Sequence, residues 1–308
     1  MIKLVALGTS SMTPTEKRNH PGFFLMLQDL GILLDCGEGT QRQIRLAKIR
    51  PSSIDYIFIT HWHGDHTLGL PGLFQMLAAN NYKNTLKIIG PKTTKKRIEQ
   101  ILKIFEFTSP ISLEVIEIDE NSTIDLGNFY CKTIKLLHSI ETYAYIFYKK
   151  SQIKLDKEKL QKYNLSIESI KKLKNGEEII HNGKKITYEE VGLKTKEEKI
   201  FAYVTDTLYF DKLINSLKDV QNLLIECTYS AEDYQKASEF FHLSLKDVVQ
   251  LANEIMPKNL ILTHFSQRYK DDDKFNKLMI NYLKENLKKG IKFYLSKDLD
   301  VFSFTEKE

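Results

Sequence analysis

"ITHWHGDHTLGLPGL", residues 59–73, follows directly on the apolar run "YIF" at 56–58. Three imidazoles and a carboxylate fall within six residues: His61, His63, Asp65 and His66. In extended backbone just past a strand, His61 and His63 are two apart and point to the same side. Gly64 lets the chain turn sharply. Asp65 and His66 then face a new direction, suited to a second ion rather than to the first. A single histidine after a strand is usually structural or solvated. Four ligand types at fixed spacing seldom arise from packing needs, and imidazole plus carboxylate without thiolate favours zinc over its competitors manganese and iron.

Working outward, the same device recurs. "YIFIT" ends at His61, "TIKLL" at His138, "FAYVT" at Asp206, "LLI" at Glu226 and "LILT" at His264. Five strand-like segments each deliver an imidazole or carboxylate at the carboxyl end. If the strands run roughly parallel in packed sheets, these side chains converge on one rim, held by rigid elements and reached through loops. Two divalent ions need about seven ligands. His61, His63, Asp65, His66, His138, Asp206 and His264 supply them, and Asp206, with two oxygens, is the natural bridge. Such a centre activates water and clamps both oxygens of an in-line displacement, so hydrolysis is the default chemistry. His20 and His181 read as surface or loop histidines, and Trp62 as packing or a wall of the site.

The rest of the chain is that of a globular α/β protein. "KLVALG", "GFFLML" and "GILLDC" read as strands, and "TQRQIRLAKI" as a helix with Thr40 as N-cap. "LSLKDVVQLANEIM" opens a helix at Ser244 or Leu243, and "DKFNKLMINYLKENLKKG" is a helix closed by Gly290. Strands and helices interleaved from end to end suggest a layered α/β or αββα architecture over residues 1–308. The apolar run at the start is too short for a signal-peptide core, and no stretch approaches ~18 uncharged apolar residues, which argues against a membrane span. Three distant cysteines, Cys36, Cys131 and Cys227, form no CxxC pair and point to a reducing cytoplasm.

The formal net charge is +5, and its placement is uneven. Residues 149–199 hold fourteen lysines against nine acids, while the remainder balances at thirty-one of each. This stretch has two tyrosines and no phenylalanine or tryptophan, and "NGEEIIHNGKKITYEEV" reads as a hairpin turning at His181-Asn182-Gly183. So little apolar content should not pack deep in a core, which makes the segment a disordered insert or a protruding arm.

With these residues in view, the chain resembles the metallo-β-lactamase superfamily and, within it, the ribonuclease Z family. The segments that carry the likeness are "LGTSSMTPTEKRNHPG", "LLDCGEGTQRQI", "ITHWHGDHTLGLPGL", "LLIECTY" and "LILTHFSQRY". The resemblance implies a four-layer αββα sandwich with a basic arm inserted at 149–199 as a tRNA-binding exosite. It implies two zinc ions per subunit, with manganese or iron as substitutes. His61, His63 and His138 would hold one, Asp65, His66 and His264 the other, and Asp206 would bridge them. Asp65 would also orient or deprotonate the attacking water. His242 would protonate the leaving oxygen, and Glu226 would fix the His242 tautomer; from the residues alone, His242 reads as an ordinary helix entry. The implied reaction removes the 3′ trailer from precursor tRNA after the discriminator nucleotide, leaving a 3′-hydroxyl. The implied assembly is a cytoplasmic homodimer in which one subunit's arm serves the other's active site.

Two features depart from the family pattern. Ser244 stands where the segment after His242 usually has threonine, and "YNLSIESIKKLKNG" lacks the arm's usual Gly-Pro. Three other readings compete: the same fold hydrolysing a small phosphodiester, thioester or lactone, a di-iron oxidoreductase, and an inactive RNA-binding scaffold. The di-iron sites usually replace a histidine of HxHxDH by glutamate, and His63 is kept. A scaffold would have lost ligands, and none is missing.

Overall fold

In β1 (Ile2–Gly8), Leu4 and Ala6 bury in one apolar core while Val5 and Leu7 bury in another. A strand apolar on both faces must be covered on both. The computed structural model, which describes residues 1–269 and 273–304, meets that demand with four layers.

After β1 come β2 (Gly22–Leu27), β3 (Leu30–Leu34), α1 (Thr40–Leu46), β4 (Tyr56–Phe58), α2 (Gly64–Thr67) and α3 (Leu70–Ala79). β5 (Leu86–Gly90), α4 (Thr94–Ile104) and β6 (Leu113–Glu117) follow, then β7 (Thr123–Leu126), β8 (Phe129–Lys135) and β9 (Tyr143–Lys149). A small module holds β10 (Ile153–Leu155), α5 (Lys157–Tyr163), α6 (Ile167–Lys174), β11 (Ile179–His181), β12 (Lys184–Ile186) and β13 (Gly192–Lys194). The chain continues through β14 (Glu198–Val204), α7 (Asp211–Leu217), β15 (Asn222–Glu226), α8 (Tyr234–Glu239) and α9 (Leu245–Ile255). It ends with β16 (Asn259–Thr263), α10 (Asp273–Asn286), β17 (Lys292–Leu295) and β18 (Val301–Phe304).

Two seven-stranded sheets result, in the orders β18-β1-β2-β3-β4-β5-β6 and β17-β16-β15-β14-β9-β8-β7. Phe23, Leu25, Phe58, Tyr145, Phe147 and Phe201 interlock between them. The outer face of the first sheet buries Ile44, Phe74 and Ile98 from α1, α3 and α4. The outer face of the second buries Leu213, Val248, Ile255 and Leu283 from α7, α9 and α10. The expected αββα sandwich is therefore what the chain forms.

Sheet direction places the site. β14 to β17 are mutually parallel, and β8 runs with β14 because both are antiparallel to β9. β3, β4 and β5 are parallel in the other sheet. The carboxyl ends of β8, β14, β15 and β16 therefore share one rim. Ser244 caps α9 in a full capping box with Asp247, a device worth about 1 kcal/mol. α9 then buries Leu245, Val248, Val249, Ala252 and Ile255 on one helical stripe.

Two helix boundaries differ from expectation. Gly39, at φ 77, is the N-cap of α1, and Thr40 is its first helical residue, donating from Oγ1 to the Gly37 carbonyl at 2.7 Å. Only glycine takes that left-handed turn without strain, so the cap moves one residue upstream. α10 stops at Asn286, before Gly290, which sits at φ 103 in the turn leading to β17.

Residues 149–199 are ordered into two capped helices, one hairpin (β11–β12) and a two-stranded ladder (β10–β13) rather than left irregular. The side chains of Asp156 and Ser166 cap α5 and α6, and Asn182-Gly183, both at positive φ, turn the β11–β12 hairpin. Leu173, Ile179, Ile186 and Val191 are buried together in a core separate from the three cores of the sandwich. The segment has too few apolar residues for the main core and enough for one of its own.

Candidate metal centre

The five strand ends do meet. His61 follows β4 and is fully buried; Asp206 and His264 follow β14 and β16 and are nearly so. His138 follows β8, and α2 turns Asp65 and His66 back toward the same point. His264 adopts a left-handed φ of 62°, unusual for a histidine, and neighbouring contacts hold it there. The Phe265 N–H donates to the Thr9 carbonyl at 3.0 Å, and the buried Arg18 guanidinium lies 4.6 Å over the Phe265 ring.

Each oxygen of Asp206 addresses a different group. Oδ2 lies 3.6 Å from His61 Nε2 and 3.7 Å from His138 Nε2. Oδ1 lies 3.3 Å from His264 Nε2 and 3.5 Å from His66 Nε2. On that second side, Asp65 Oδ2 is 3.4 Å from His66 Nε2 and 3.6 Å from His264 Nε2. His63 Nδ1 lies 3.1 Å from His61 Nε2 and 3.2 Å from His138 Nε2. Two sets could thus each hold an ion: His61, His63, His138 and Asp206 on one side, and Asp65, His66 and His264 on the other.

Hydrogen bonds behind the rings explain why these edges face inward. Asp35, fully buried, accepts from His66 Nδ1 at 2.8 Å, from the Thr60 N–H at 2.8 Å and from the Tyr203 hydroxyl at 2.8 Å. The Thr60 hydroxyl donates to Asp35 and so accepts from His61 Nδ1 at 3.0 Å. His138 Nδ1 donates to the Phe241 carbonyl at 3.0 Å, and His264 Nδ1 to Thr228 Oγ1 at 2.8 Å. With Nδ1 occupied, four imidazoles present Nε2 to the cluster. Nε2 of His66 and of His264 is buried without a hydrogen-bond partner. On the other side, three ring nitrogens crowd one spot, where a single proton serves at most two of them. A divalent cation on each side satisfies both arrangements, so these residues fit a dinuclear centre.

The charge balance agrees. Burial holds His61, His63 and His138 below the ordinary histidine value, which keeps them in the neutral, ligating form. Burial opposes ionisation of Asp65 and Asp206, but the surrounding imidazoles prevail and hold both well below the usual carboxylate range. His66 goes the other way: burial would lower it, yet Asp65, Asp206 and Asp35 together push it up. Three carboxylates around one imidazole call for positive charge, which a proton or a cation supplies.

His242 stands at the edge of the cluster. Its Nδ1 lies 3.2 Å from both oxygens of Glu226, the last residue of β15 and fully buried. Burial works against protonation of His242, but Glu226 and Asp206 outweigh it and raise the imidazole to about 9. Glu226 is held in turn by the Thr207 N–H at 2.8 Å and by the Thr228 hydroxyl. His242 also lies near enough to Asp206 and His264 to join a ligand set. Its hydrogen bond to Glu226 instead fits a proton carrier. All of this borders an open cleft of about 540 Å³ lined by His63, Asp65, His138, Asp206, His242 and Arg268, among others.

Residues 2–182 match the family model described as Anti-Pycsar protein Apyc1, and residues 152–265 match that of the Beta-lactamase superfamily domain. A Ribonuclease Z from Nanoarchaeum equitans is 39% identical over 85% of this chain and 83% of its own length. The chain belongs to the ribonuclease Z family. The Methanocaldococcus jannaschii Ribonuclease Z is 36% identical over 98% of this chain and 97% of its own length. The Apyc1 match also places residues 2–182 in that family, but it ends before Asp206, Glu226, His242 and His264, which the ribonuclease Z likeness spans. In fold, human tRNase Z, short form, aligns with a TM-score of 0.69 at 22% identity, covering 99% of this chain and 100% of that one. The metallo-beta-lactamase fold protein YhfI from Bacillus subtilis aligns with a TM-score of 0.69 at 17% identity, covering 98% of each chain.

The structure gathers His61, His63, Asp65, His66, His138, Asp206, His264, His242 and Glu226 into one cluster at the cleft, with His61, His66 and Glu226 fully buried behind its lining. His181 lies away from it in the β11–β12 hairpin. His20 is not a surface histidine: it is 6% exposed, with Nε2 3.0 Å from the Met12 carbonyl, because the loop after β1 folds down over it. Trp62 packs outward, donating from Nε1 to Thr94 Oγ1 at 2.9 Å under the Arg97 guanidinium. Sequence reasoning passed over Asp35, Thr60 and Thr228, which orient the rings. Asp35 had a signal, since β3 also ends on a carboxylate. Thr60 and Thr228 are common residues whose role depends on what lies across the sheet.

Proposed function

We propose that this chain is a dinuclear zinc endoribonuclease that removes the 3′ trailer from precursor tRNA, cutting after the discriminator nucleotide to leave a 3′-hydroxyl. The observation that carries this reading is full-length likeness to ribonuclease Z relatives combined with the clustering of seven side chains able to hold metal, five of which line one open cleft. His61, His63 and His138 would hold one ion and Asp65, His66 and His264 the other, with Asp206 available to both sets. Manganese or iron suits the same ligands, though imidazole-rich sets favour zinc.

When bound, such an ion pair supplies Lewis acidity at the phosphoryl oxygens and acidity to water. The protein does the rest. Asp65 orients or deprotonates the attacking water. The new bond forms between the water oxygen and phosphorus, and the bond from phosphorus to the discriminator's 3′ oxygen breaks. His242, protonated and held by Glu226, gives its proton to that leaving oxygen, and the phosphate stays with the trailer. Proton delivery of this kind contributes roughly 10²–10⁴-fold.

The lysine-rich module at 149–199 serves as the tRNA exosite, since cations that neutralise phosphates release counterions and hold RNA regardless of sequence. We place the protein in the cytoplasm, consistent with three free buried cysteines. We assign it a homodimer in which each arm serves the other subunit's cleft. Among the described residues no helix is long and apolar enough to cross a membrane.

The test is incubation of purified protein with a 3′-extended precursor tRNA, mapping the new end to one nucleotide. A metal-dependent cut just after the discriminator supports the assignment. No cut, with small phosphodiesters still hydrolysed, would replace it with a small-substrate phosphodiesterase.

A further inference from the structure

One part of the cleft lining is built from two adjacent aromatics whose rings the reaction does not use. Phe240 is 51% exposed and Phe241 41%, and both line the cleft beside His242. Exposed neighbouring phenylalanines at a wet rim cost solubility, so they need a reason. Phe241 needs a second one. α8 ends in a Schellman arrangement, with the His242 N–H donating to the Ala237 carbonyl at 2.8 Å and Phe241 at φ 59. Glycine or asparagine is the usual residue there, because a Cβ in left-handed backbone is strained. Phe241 keeps that backbone while 41% exposed on the cleft, with its ring edge-on to His138 at 6.4 Å between centroids. Strain kept on a cleft wall beside His138 points to function.

Nearby chemistry indicates what the rings receive. The Phe240 ring lies nearly parallel to that of Tyr229, at 15° and 6.5 Å between centroids, and the Arg268 guanidinium sits 5.0 Å over Tyr229. The Phe241 carbonyl accepts from His138, which ties this wall to the metal ligands. Flat rings beside a cation and a phosphate-cleaving centre match single-stranded nucleic acid, whose bases stack on aromatics while the phosphates meet charge. We infer that Phe240 and Phe241 are a stacking platform for the nucleobases flanking the scissile phosphate, and so are specificity residues for a single-stranded 3′ end. The inference rests on the ribonuclease reading above and adds the part of the substrate those rings recognise.

The experiment is a two-way comparison on the full-length, metal-loaded protein. Precursor tRNAs carry either the normal base or an abasic nucleotide at each position bracketing the cut, and kcat/KM is measured for wild type, Phe240→Ala and Phe241→Gly. Phe241→Gly keeps the positive φ and the carbonyl that His138 uses, so it removes the ring without disturbing the fold. Wild type should lose about tenfold when the stacked base is removed. Each variant should lose about as much on the normal substrate, mainly in KM, and then be nearly indifferent to the abasic change at one position. Phe240→Trp should restore sensitivity to the base. If abasic substitution costs the variants as much as wild type at both positions, the platform is refuted. It is refuted equally if the variants only convert a dimer to monomers with base sensitivity intact, which would make the wall a contact between copies. Failure of wild type to cut any 3′-extended precursor would instead refute the proposed function.

Discussion

Asp35 accepts a hydrogen bond from His66 Nδ1 at 2.8 Å in a wholly buried position, and it is not itself within the ligand cluster. One carboxylate thereby aims a ring from α2, anchors Thr60 at the end of β4, and receives the Tyr203 hydroxyl from the opposite sheet. The centre is assembled across both sheets, and Asp35 is where they are tied. Asp35→Asn should fold yet bind metal roughly 10–100-fold more weakly, since ligand orientation is lost while volume is kept. Asp35→Ala leaves buried partners unsatisfied and should cost about 3–5 kcal/mol in stability. Metal content after dialysis and thermal unfolding together check the pair; unchanged metal retention in Asp35→Asn would remove Asp35 from the site.

His66→Ala and His242→Ala should separate binding of metal from movement of the proton. His66→Ala should abolish cleavage while precursor binding stays nearly intact. His242→Ala should keep its metal and lose roughly 10²–10⁴-fold in kcat. Metal analysis, gel-shift binding and single-turnover cleavage are the three readouts. Loss of metal from His242→Ala would make that residue a ligand instead.

Asp298 gives the fold a pH dependence away from the centre. It accepts from Thr9 Oγ1 at 2.7 Å, the Asn19 N–H at 2.7 Å and Gln43 Nε2 at 2.8 Å, joining the loop after β1 to α1. Burial pushes its carboxyl up to about 6 in spite of these donors. A carboxyl raised on folding holds its proton more tightly in the native state, so stability falls as pH rises from near 4 through about 6. Asp298→Asn should flatten that slope, with the gap in Tm between variant and wild type changing by about 2–4 °C between pH 4.5 and 7. Melting curves across that range decide it; parallel slopes would show that Asp298 does not titrate there.

The lysine-rich module can be removed cleanly. Gln152 and Thr195 pair at its neck, Thr195 N–H to Gln152 carbonyl at 2.7 Å and Gln152 N–H to Thr195 Oγ1 at 2.9 Å. Its buried residues pack among themselves. Replacing the span between these two residues with a short glycine turn should leave small-phosphodiester hydrolysis within a few-fold of normal. Precursor tRNA cleavage should fall by at least about 100-fold at 150 mM salt and recover in part as salt is lowered, because the lost contacts are to phosphates. Equal loss on both substrates would mean the module supports the fold rather than the RNA.

Much of this was legible along the chain, and what was not has a local cause. The HxHxDH spacing is a local signal, because backbone two residues apart fixes which ligands share a side. The strand-end rule found His138, Asp206 and His264 because each follows a β-rich run. The same rule would have found Asp35 had it been applied to β3. His242 showed no such signal, since its neighbours at the end of α8 read only as a helix boundary. Thr40 was misplaced by one residue because the left-handed φ of Gly39 is invisible until the loop from Asn19 crosses it. The arm's apolar residues are too sparse to reveal periodicity, and they form a core only after the β10–β13 pairing and the β11–β12 hairpin bring them together.

The order of elements, the two-sided burial of the strands and the candidate ligand residues follow from the sequence alone, because each is marked by a short local pattern in the chain. Which nitrogen each imidazole presents, which oxygen of Asp206 serves which side, and why Phe241 keeps a strained backbone were decided only in three dimensions. Those features depend on partners such as Asp35 for His66, Thr228 for His264 and Phe241 for His138. These are separated by 31, 36 and 103 residues and come within hydrogen-bonding distance only when the tertiary fold lines up the ends of strands and helices remote in the chain.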